Sequence, residues 1–150
     1  MDSHRLLLIR HAKTGQGSPD RDRRLTDRGE RDAREIGTWL SSQGVVPDLV
    51  VVSPATRARQ TWELTGLDVS SKTDARVYDN TVEDLHAIVD ETDESVHTLA
   101  IVGHNPSIEE FTIRRGGPAS ISTGSVVLFE IDEAWVDGGA RYVEVATCRG

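Results

Sequence analysis

The sequence predicts an α/β protein: a three-layer α/β/α sandwich with a mostly parallel central sheet and a C-terminal antiparallel hairpin. Three observations predict it. Four short runs (residues 6–9, 49–52, 99–102 and 126–131) carry Val, Ile and Leu with almost no polar alternation, as strands covered on both faces require. Segments of helical period lie between them, so strands and helices alternate. A fifth run, residues 142–146, alternates along its length and follows the turn-like Asp137-Gly138-Gly139, which makes it the hairpin partner of the strand before it.

Each helix is justified by its own pattern. Ala33, Ile36, Gly37 and Leu40 recur at i, i+3, i+4 and i+7, with Asp27 and Glu30 as a capping pair and Gly44 as a stop. Residues 55–64 form a second helical segment, closed by Gly66. In the third, residues 82–89, Val82, Leu85 and Val89 share a face with Ile88 beside them. The fourth, residues 106–113, takes Asn105 as its cap and Pro106 as its first helical position. The acidic stretch 90–94 and the charged run 20–24 read as solvated loops.

The bulk properties narrow the classes. A chain of 150 residues with 37% hydrophobic and 28% charged residues suits one domain, here residues 1–150. Lys and Arg number 17 against 25 Asp and Glu, for a net charge of −8, which argues against nucleic acid and against an anionic membrane surface. Cys148 is the sole cysteine, so an internal disulfide is excluded. The four consecutive apolar residues near the N-terminus are too few for a signal peptide core. No apolar run approaches the ~20 residues that span a bilayer. The expected address is cytoplasmic.

Three strand ends carry the chemistry. Arg10-His11 follows the first strand, Ser53-Pro54-Ala55-Thr56-Arg57 the second, and Gly103-His104-Asn105-Pro106 the third. Ligands of open α/β sheets bind outside the carboxyl ends of the strands, so these residues are expected to converge. Ser53-Pro54 and Asn105-Pro106 also run into helix starts, which add N–H donors and a partial positive charge. Two arginines and two histidines around such a point suit a phosphoryl group. Neutral histidine is a competent nucleophile, and the planar guanidinium is the natural clamp for phosphate oxygens. Taken singly, each motif is as well explained by a polar strand end, a turn or a surface cation; the conjunction of three points to phosphoryl chemistry.

The same residues carry a family resemblance. Leu-Leu-Leu-Ile-Arg10-His11-Ala12 resembles the Arg-His-Gly signature of the histidine phosphatase superfamily, the phosphoglycerate mutase-like fold. The segment from Ser53 to Thr61 resembles its Ser-x-x-x-Arg-Ala-x-x-Thr stretch, and Val102-Gly103-His104-Asn105 its distal Gly-His motif. The resemblance runs from about residue 6 to about residue 130 and is strongest to the short SixA-type phosphohistidine phosphatases. It implies that His11 is phosphorylated while Arg10, Arg57 and His104 hold the phosphoryl group. Arg24 looks like the arginine of the SixA Arg-Pro-Leu-Thr-x-x-Gly stretch, either reaching the substrate phosphate or lying in a solvated loop.

Larger members of the family supply a carboxylic acid from mid-chain to protonate an alkoxide leaving group. Here that region offers Asp79 and Glu83 without a firm motif. A phosphoramidate needs less help, because imidazole leaves readily and is protonated near neutral pH. The expectation is therefore a phosphohistidine phosphatase acting on a phosphorylated protein, needing no metal or other cofactor, since guanidinium groups neutralise the charge. The alternatives are a small-molecule phosphomonoesterase or mutase of the same fold, and an inactive phosphate-binding module. Five histidines show no compact metal-ligand spacing; His4, His86 and His97 read as surface residues and Cys148 as a bystander.

Overall fold

Strands that are apolar on both faces need a layer on each side, and this chain supplies both. The computed structural model describes residues 4–78, 81–132, 134–136 and 139–150. The strands are β1 (His4–Arg10), β2 (Leu49–Val52), β3 (Ser71–Thr73), β4 (Thr98–Gly103), β5 (Ser125–Ile131) and β6 (Ala140–Thr147). The helices are α1 (Asp27–Gln43), α2 (Thr56–Leu64), α3 (Val82–Asp90) and α4 (Ser107–Ile113). One sheet takes the order β3-β2-β4-β1-β5-β6. Strands β1 to β4 pair in parallel, and β5 and β6 add the antiparallel hairpin.

Period-two alternation divides the core. Leu6 and Leu8 of β1 join Leu99, Ile101, Phe129 and the apolar faces of α3 and α4. Leu7 and Ile9 turn the other way, onto Ile36 and Leu40 of α1 and Ala58 and Trp62 of α2. All four β1 residues are fully buried, which explains why the sequence shows no polar alternation there.

Helix ends follow local chemistry with two corrections. The cap of α1 is Thr26, whose Oγ1 accepts the Gly29 N–H at 3.0 Å, in place of the expected Asp27–Glu30 pair. A hydroxyl one residue earlier satisfies one of the free donors of the first turn, and Asp27 and Glu30 then lie in that turn beside the positive helix end. Gly44 closes α1 in the left-handed region at φ 66°. In α4 the helix begins at Ser107 with Pro106 as its cap residue, while Asn105 Oδ1 accepts the Glu109 N–H at 3.2 Å.

Strand β3 was not anticipated. Ser71, Lys72 and Thr73 are all exposed, so no apolar signal marks this short edge strand. His4 also departs from expectation, being 2% exposed and stacked on Trp135 at 4.5 Å between ring centres. His86 is half-buried against Phe111, whereas His97 is exposed. Among the described residues no helix is long and apolar enough to cross a membrane.

Candidate active site

Strand register brings the three motifs together. Ile9 and Val52 both pair with Val102 across the parallel strands, so the residues that follow them leave the sheet side by side. The His11 N–H donates to the Gly103 carbonyl at 3.0 Å, and the Ser53 N–H to the Val102 carbonyl at 3.0 Å. The rings of His11 and His104 lie 5.1 Å apart, tilted by 56°. His11, Arg57 and His104 are each about nine-tenths buried or more. Gly103 permits this crowding, since a Cβ there would press within 2.8 Å of Val77 Cγ1.

The tautomer of His11 follows from its partner. Its Nδ1 lies 2.8 Å from the carbonyl oxygen of Ala12, which can only accept. The proton therefore sits on Nδ1, and Nε2 keeps its lone pair. Ala12 is held in turn: its N–H donates to Thr61 Oγ1 at 3.0 Å, and that hydroxyl donates to the Arg57 carbonyl at 2.7 Å. Burial above all, opposed by the Ala12 bond and joined by the guanidinium groups of Arg57, Arg10 and Arg23, pushes His11 down to about 4. His11 is thus neutral at physiological pH.

His104 is set from its other nitrogen. Nε2 lies 2.8 Å from Ser53 Oγ, and the same hydroxyl oxygen accepts the Ala55 N–H at 3.2 Å. Ser53 is fully buried, and Nε2 is the acceptor its hydroxyl proton has among the described residues. The proton of the neutral imidazole therefore lies on Nδ1, a buried atom with no partner among the described residues. Burial, then the neighbouring His11 and Arg57, push His104 down to about 3.

Arg10 donates from Nη1 to the Ile121 carbonyl at 2.7 Å, while its Nε is buried without a partner among the described residues. Two buried donors, each lacking an acceptor among the described residues, are costly unless a ligand supplies one. An oxyanion supplies several. The surrounding guanidinium groups would stabilise it further.

Arg57 has an occupant. Its Nη1 donates to the Asp20 carbonyl at 2.8 Å and its Nη2 to the Asp20 carboxylate at 3.1 Å. The same carboxylate accepts from the Tyr78 hydroxyl at 2.7 Å and from Arg23 Nη1 at 3.0 Å. These hydrogen bonds, Tyr78 first and then Arg23 and Arg57, hold the Asp20 carboxyl far below the usual carboxylate range. Tyr78 packs edge-on against His104 at 5.8 Å. The run 20–24, expected as a solvated loop, opens with a short 3-10 turn (Asp20–Asp22) that closes over Arg57.

Arg10, His11, Arg57 and His104 are therefore together, as the sequence predicts. Arg24 is exposed, and its side chain makes no hydrogen bond to the described residues. Arg23 faces it, donating to Thr14 Oγ1 at 2.6 Å and to the Gly15 carbonyl at 3.0 Å. The signal was present: read without a gap, Arg23-Arg24-Leu25-Thr26-Asp27-Arg28-Gly29 matches Arg-Pro-Leu-Thr-x-x-Gly with Arg23 at the arginine. Asp79 lies outside the described residues. Glu83 is exposed on α3 and pairs with Arg114 at 3.5 Å. Ser53 was read as leading into a helix start and not as a partner of His104, and Asp20 and Tyr78 were not singled out, because these contacts join distant segments. Cys148 is buried, and that burial raises its thiol to about 11. Among the described residues no group of three or more His, Cys, Asp or Glu is placed to hold a metal ion.

Comparison with known proteins agrees with this geometry. Residues 6–97 match the model of the histidine phosphatase superfamily (branch 1). The chain is 36% identical over 141 residues to protein Rv1276c of Mycobacterium tuberculosis, covering 92% of this chain and 87% of that one. A candidate phosphohistidine phosphatase SixA from Nakamurella multipartitia superposes with a TM-score of 0.88 at 28% identity, over 99% of this chain and 98% of the other. The protein histidine phosphatase SixA in complex with tungstate superposes with a TM-score of 0.84 at 23% identity, over 95% and 96% of the two chains, a likeness of fold. Matched along most of its length, with the strand-end arginines and histidines brought to one sheet edge, the chain belongs to the histidine phosphatase superfamily, is of the SixA type, and is a phosphatase.

Proposed function

We propose that this phosphatase hydrolyses phosphohistidine on a protein through a covalent intermediate on His11. The observation that carries the reading is the pairing of one free lone pair with two waiting donors. His11 Nε2 is unprotonated because Nδ1 is engaged by Ala12, while Arg10 Nε and His104 Nδ1 are buried without acceptors among the described residues.

In the first step Nε2 attacks phosphorus in line, an N–P bond forms to His11, and the substrate's N–P bond breaks. The leaving imidazole keeps the bonding pair and takes a proton from water. Arg10, Arg57 and His104 hold the three equatorial oxygens as charge spreads over them. Arg57 exchanges the Asp20 carboxylate for the phosphoryl group. In the second step water attacks phosphorus, its proton passes to solvent, and His11 Nε2 leaves with its lone pair restored.

The substrate class is supported by the state of the local acid. Among the described residues Asp20 is the carboxylate that reaches Arg57, and its hydrogen bonds keep it ionised, so it is a poor proton donor. A phosphoramidate tolerates that and an alkyl ester does not. The name carried by the Nakamurella neighbour points the same way.

The test is phosphate release from a phosphohistidine-bearing protein without added metal, comparing wild type with His11→Ala. Release by wild type alone supports the proposal. Turnover by His11→Ala near the wild-type rate overturns the nucleophile, and phosphoserine or a sugar phosphate turned over faster than phosphohistidine overturns the substrate.

A further inference from the structure

A cleft of about 530 Å³ opens on the α1 side of the β1 end, lined by Arg10, Lys13, Thr14, Arg28, Asp32 and Arg149 with Ser122 and Thr123. Four of these residues are cationic and one is acidic, in a chain whose net charge is −8. Arg10 is common to this cleft and to the phosphoryl site.

The cationic wall is built from a fixed centre. Asp32 is 2% exposed, is ion-paired with Arg28 Nε at 3.1 Å, and accepts from Arg149 Nη1 at 3.4 Å and from the Gly150 N–H at 3.0 Å. A buried carboxylate is tolerated when paired in this way, and here it fixes two guanidinium groups at the rim. Arg149 also donates to the Thr123 carbonyl at 2.9 Å. The Gly124 N–H donates to the carbonyls of Arg10 and His11, each at 3.1 Å, which ties the 122–124 segment to the strand end that carries the nucleophile. Lys13 is exposed and forms no ion pair with any described residue. Asp32 is thus the one carboxylate facing four cations.

We infer that this cleft is an accessory anion subsite that takes a carboxylate side chain flanking the phosphohistidine of the substrate protein. The inference rests on the phosphohistidine reading. An open, hydrated cleft lined by guanidinium and ammonium groups suits a carboxylate that keeps part of its water, and offers little to an apolar ring. The enzyme would then read phosphohistidines in acidic surroundings, with Arg10 shared between the two anions.

The experiment uses two phosphohistidine peptides, one with Glu and one with Gln on each side of the histidine. Wild type is expected to favour the Glu peptide in kcat/KM by about tenfold at low salt, with the preference shrinking as salt screens it. Lys13→Gln and Arg28→Gln should each lower that ratio about threefold. The unphosphorylated peptides are titrated in parallel, following the Lys13 and Arg28 amide resonances. Equal turnover of both phosphopeptides by wild type overturns the subsite and leaves the phosphohistidine reading standing. No turnover of either, with Glu-peptide binding that weakens in Lys13→Gln, overturns the phosphohistidine reading and keeps the subsite. Neither turnover nor Glu-selective binding overturns both.

Discussion

Ser53 Oγ stands 2.8 Å from Nε2 of His104 and takes the Ala55 N–H on its other side at 3.2 Å. This one hydroxyl decides which nitrogen of His104 presents a proton to the site. Replacing it with Ala removes the acceptor's partner and frees the imidazole to rotate or change tautomer. Ser53→Ala is expected to lower kcat about tenfold with a smaller change in KM, and Ser53→Thr to restore part of the loss. An unchanged kcat in Ser53→Ala would show that Ser53 does not position His104.

The buried histidines make a prediction about acid. His11 and His104 titrate in water near 6.5 and are pushed down to about 4 and about 3 in the fold. Ring proton resonances of both should therefore stay those of neutral imidazole from pH 7 to about 5, with protonation near 4 for His11. A titration of His11 centred at 6.5 would contradict the burial argument.

The same shifts govern stability. Between pH 6.5 and about 4 the unfolded chain binds protons at these positions that the native state does not. Stability is fully present above 6.5 and falls as pH drops through that window, by up to about 1.4 kcal/mol per pH unit for each histidine. In denaturant titrations His11→Gln should therefore lose less stability than wild type between pH 6.5 and 4.5. Identical pH slopes would count against a neutral, buried His11.

Asp20 competes for the cation that a phosphoryl group needs. Its carboxylate lies 3.1 Å from Arg57 Nη2 and accepts the Tyr78 hydroxyl at 2.7 Å. Asp20→Asn keeps the shape and removes the charge, so inhibition by inorganic phosphate should tighten about 3- to 10-fold. Arg57→Gln should lower kcat/KM by about 100-fold or more. Weaker phosphate inhibition in Asp20→Asn would mean that Asp20 helps to assemble the clamp.

Gly29 couples the first turn of α1 to the loop after β1. A Cβ at this position would collide with the Lys13 carbonyl, which accepts the Thr26 N–H at 3.0 Å. Gly29→Ala should cost about 2–4 kcal/mol of stability and lower activity at permissive temperature, because the segment that orients His11 shifts. A melting temperature within a degree of wild type would refute the close-packing argument.

The sequence was most informative where one element carries its own signal. Strand β2 is found at residues 49–52 as read, since Val50, Val51 and Val52 are buried on both faces. Gly44 ends α1 where its conformational freedom suggested. The convergence of Arg10, His11, Arg57 and His104 was legible because each follows a buried strand or opens a helix. What was not legible depends on long-range contacts: β3 has no apolar residue to betray it, and Asp20 meets Arg57 only because the loop folds back over α2. The place of Arg24, open in the sequence between the substrate phosphate and a solvated loop, was not legible for a narrower reason. Adjacent arginines look alike in a motif, and only the bonds from Arg23 to Thr14 and Gly15 show which one turns inward.

The most direct measurement is to trap the enzyme during turnover and locate the phosphoryl group by phosphorus NMR and mass spectrometry. With Nδ1 of His11 engaged by the Ala12 carbonyl at 2.8 Å, the phosphate is expected on His11 Nε2, acid-labile and absent from His11→Ala. Phosphate on Nδ1, on another residue, or never covalently attached while turnover proceeds would contradict the account.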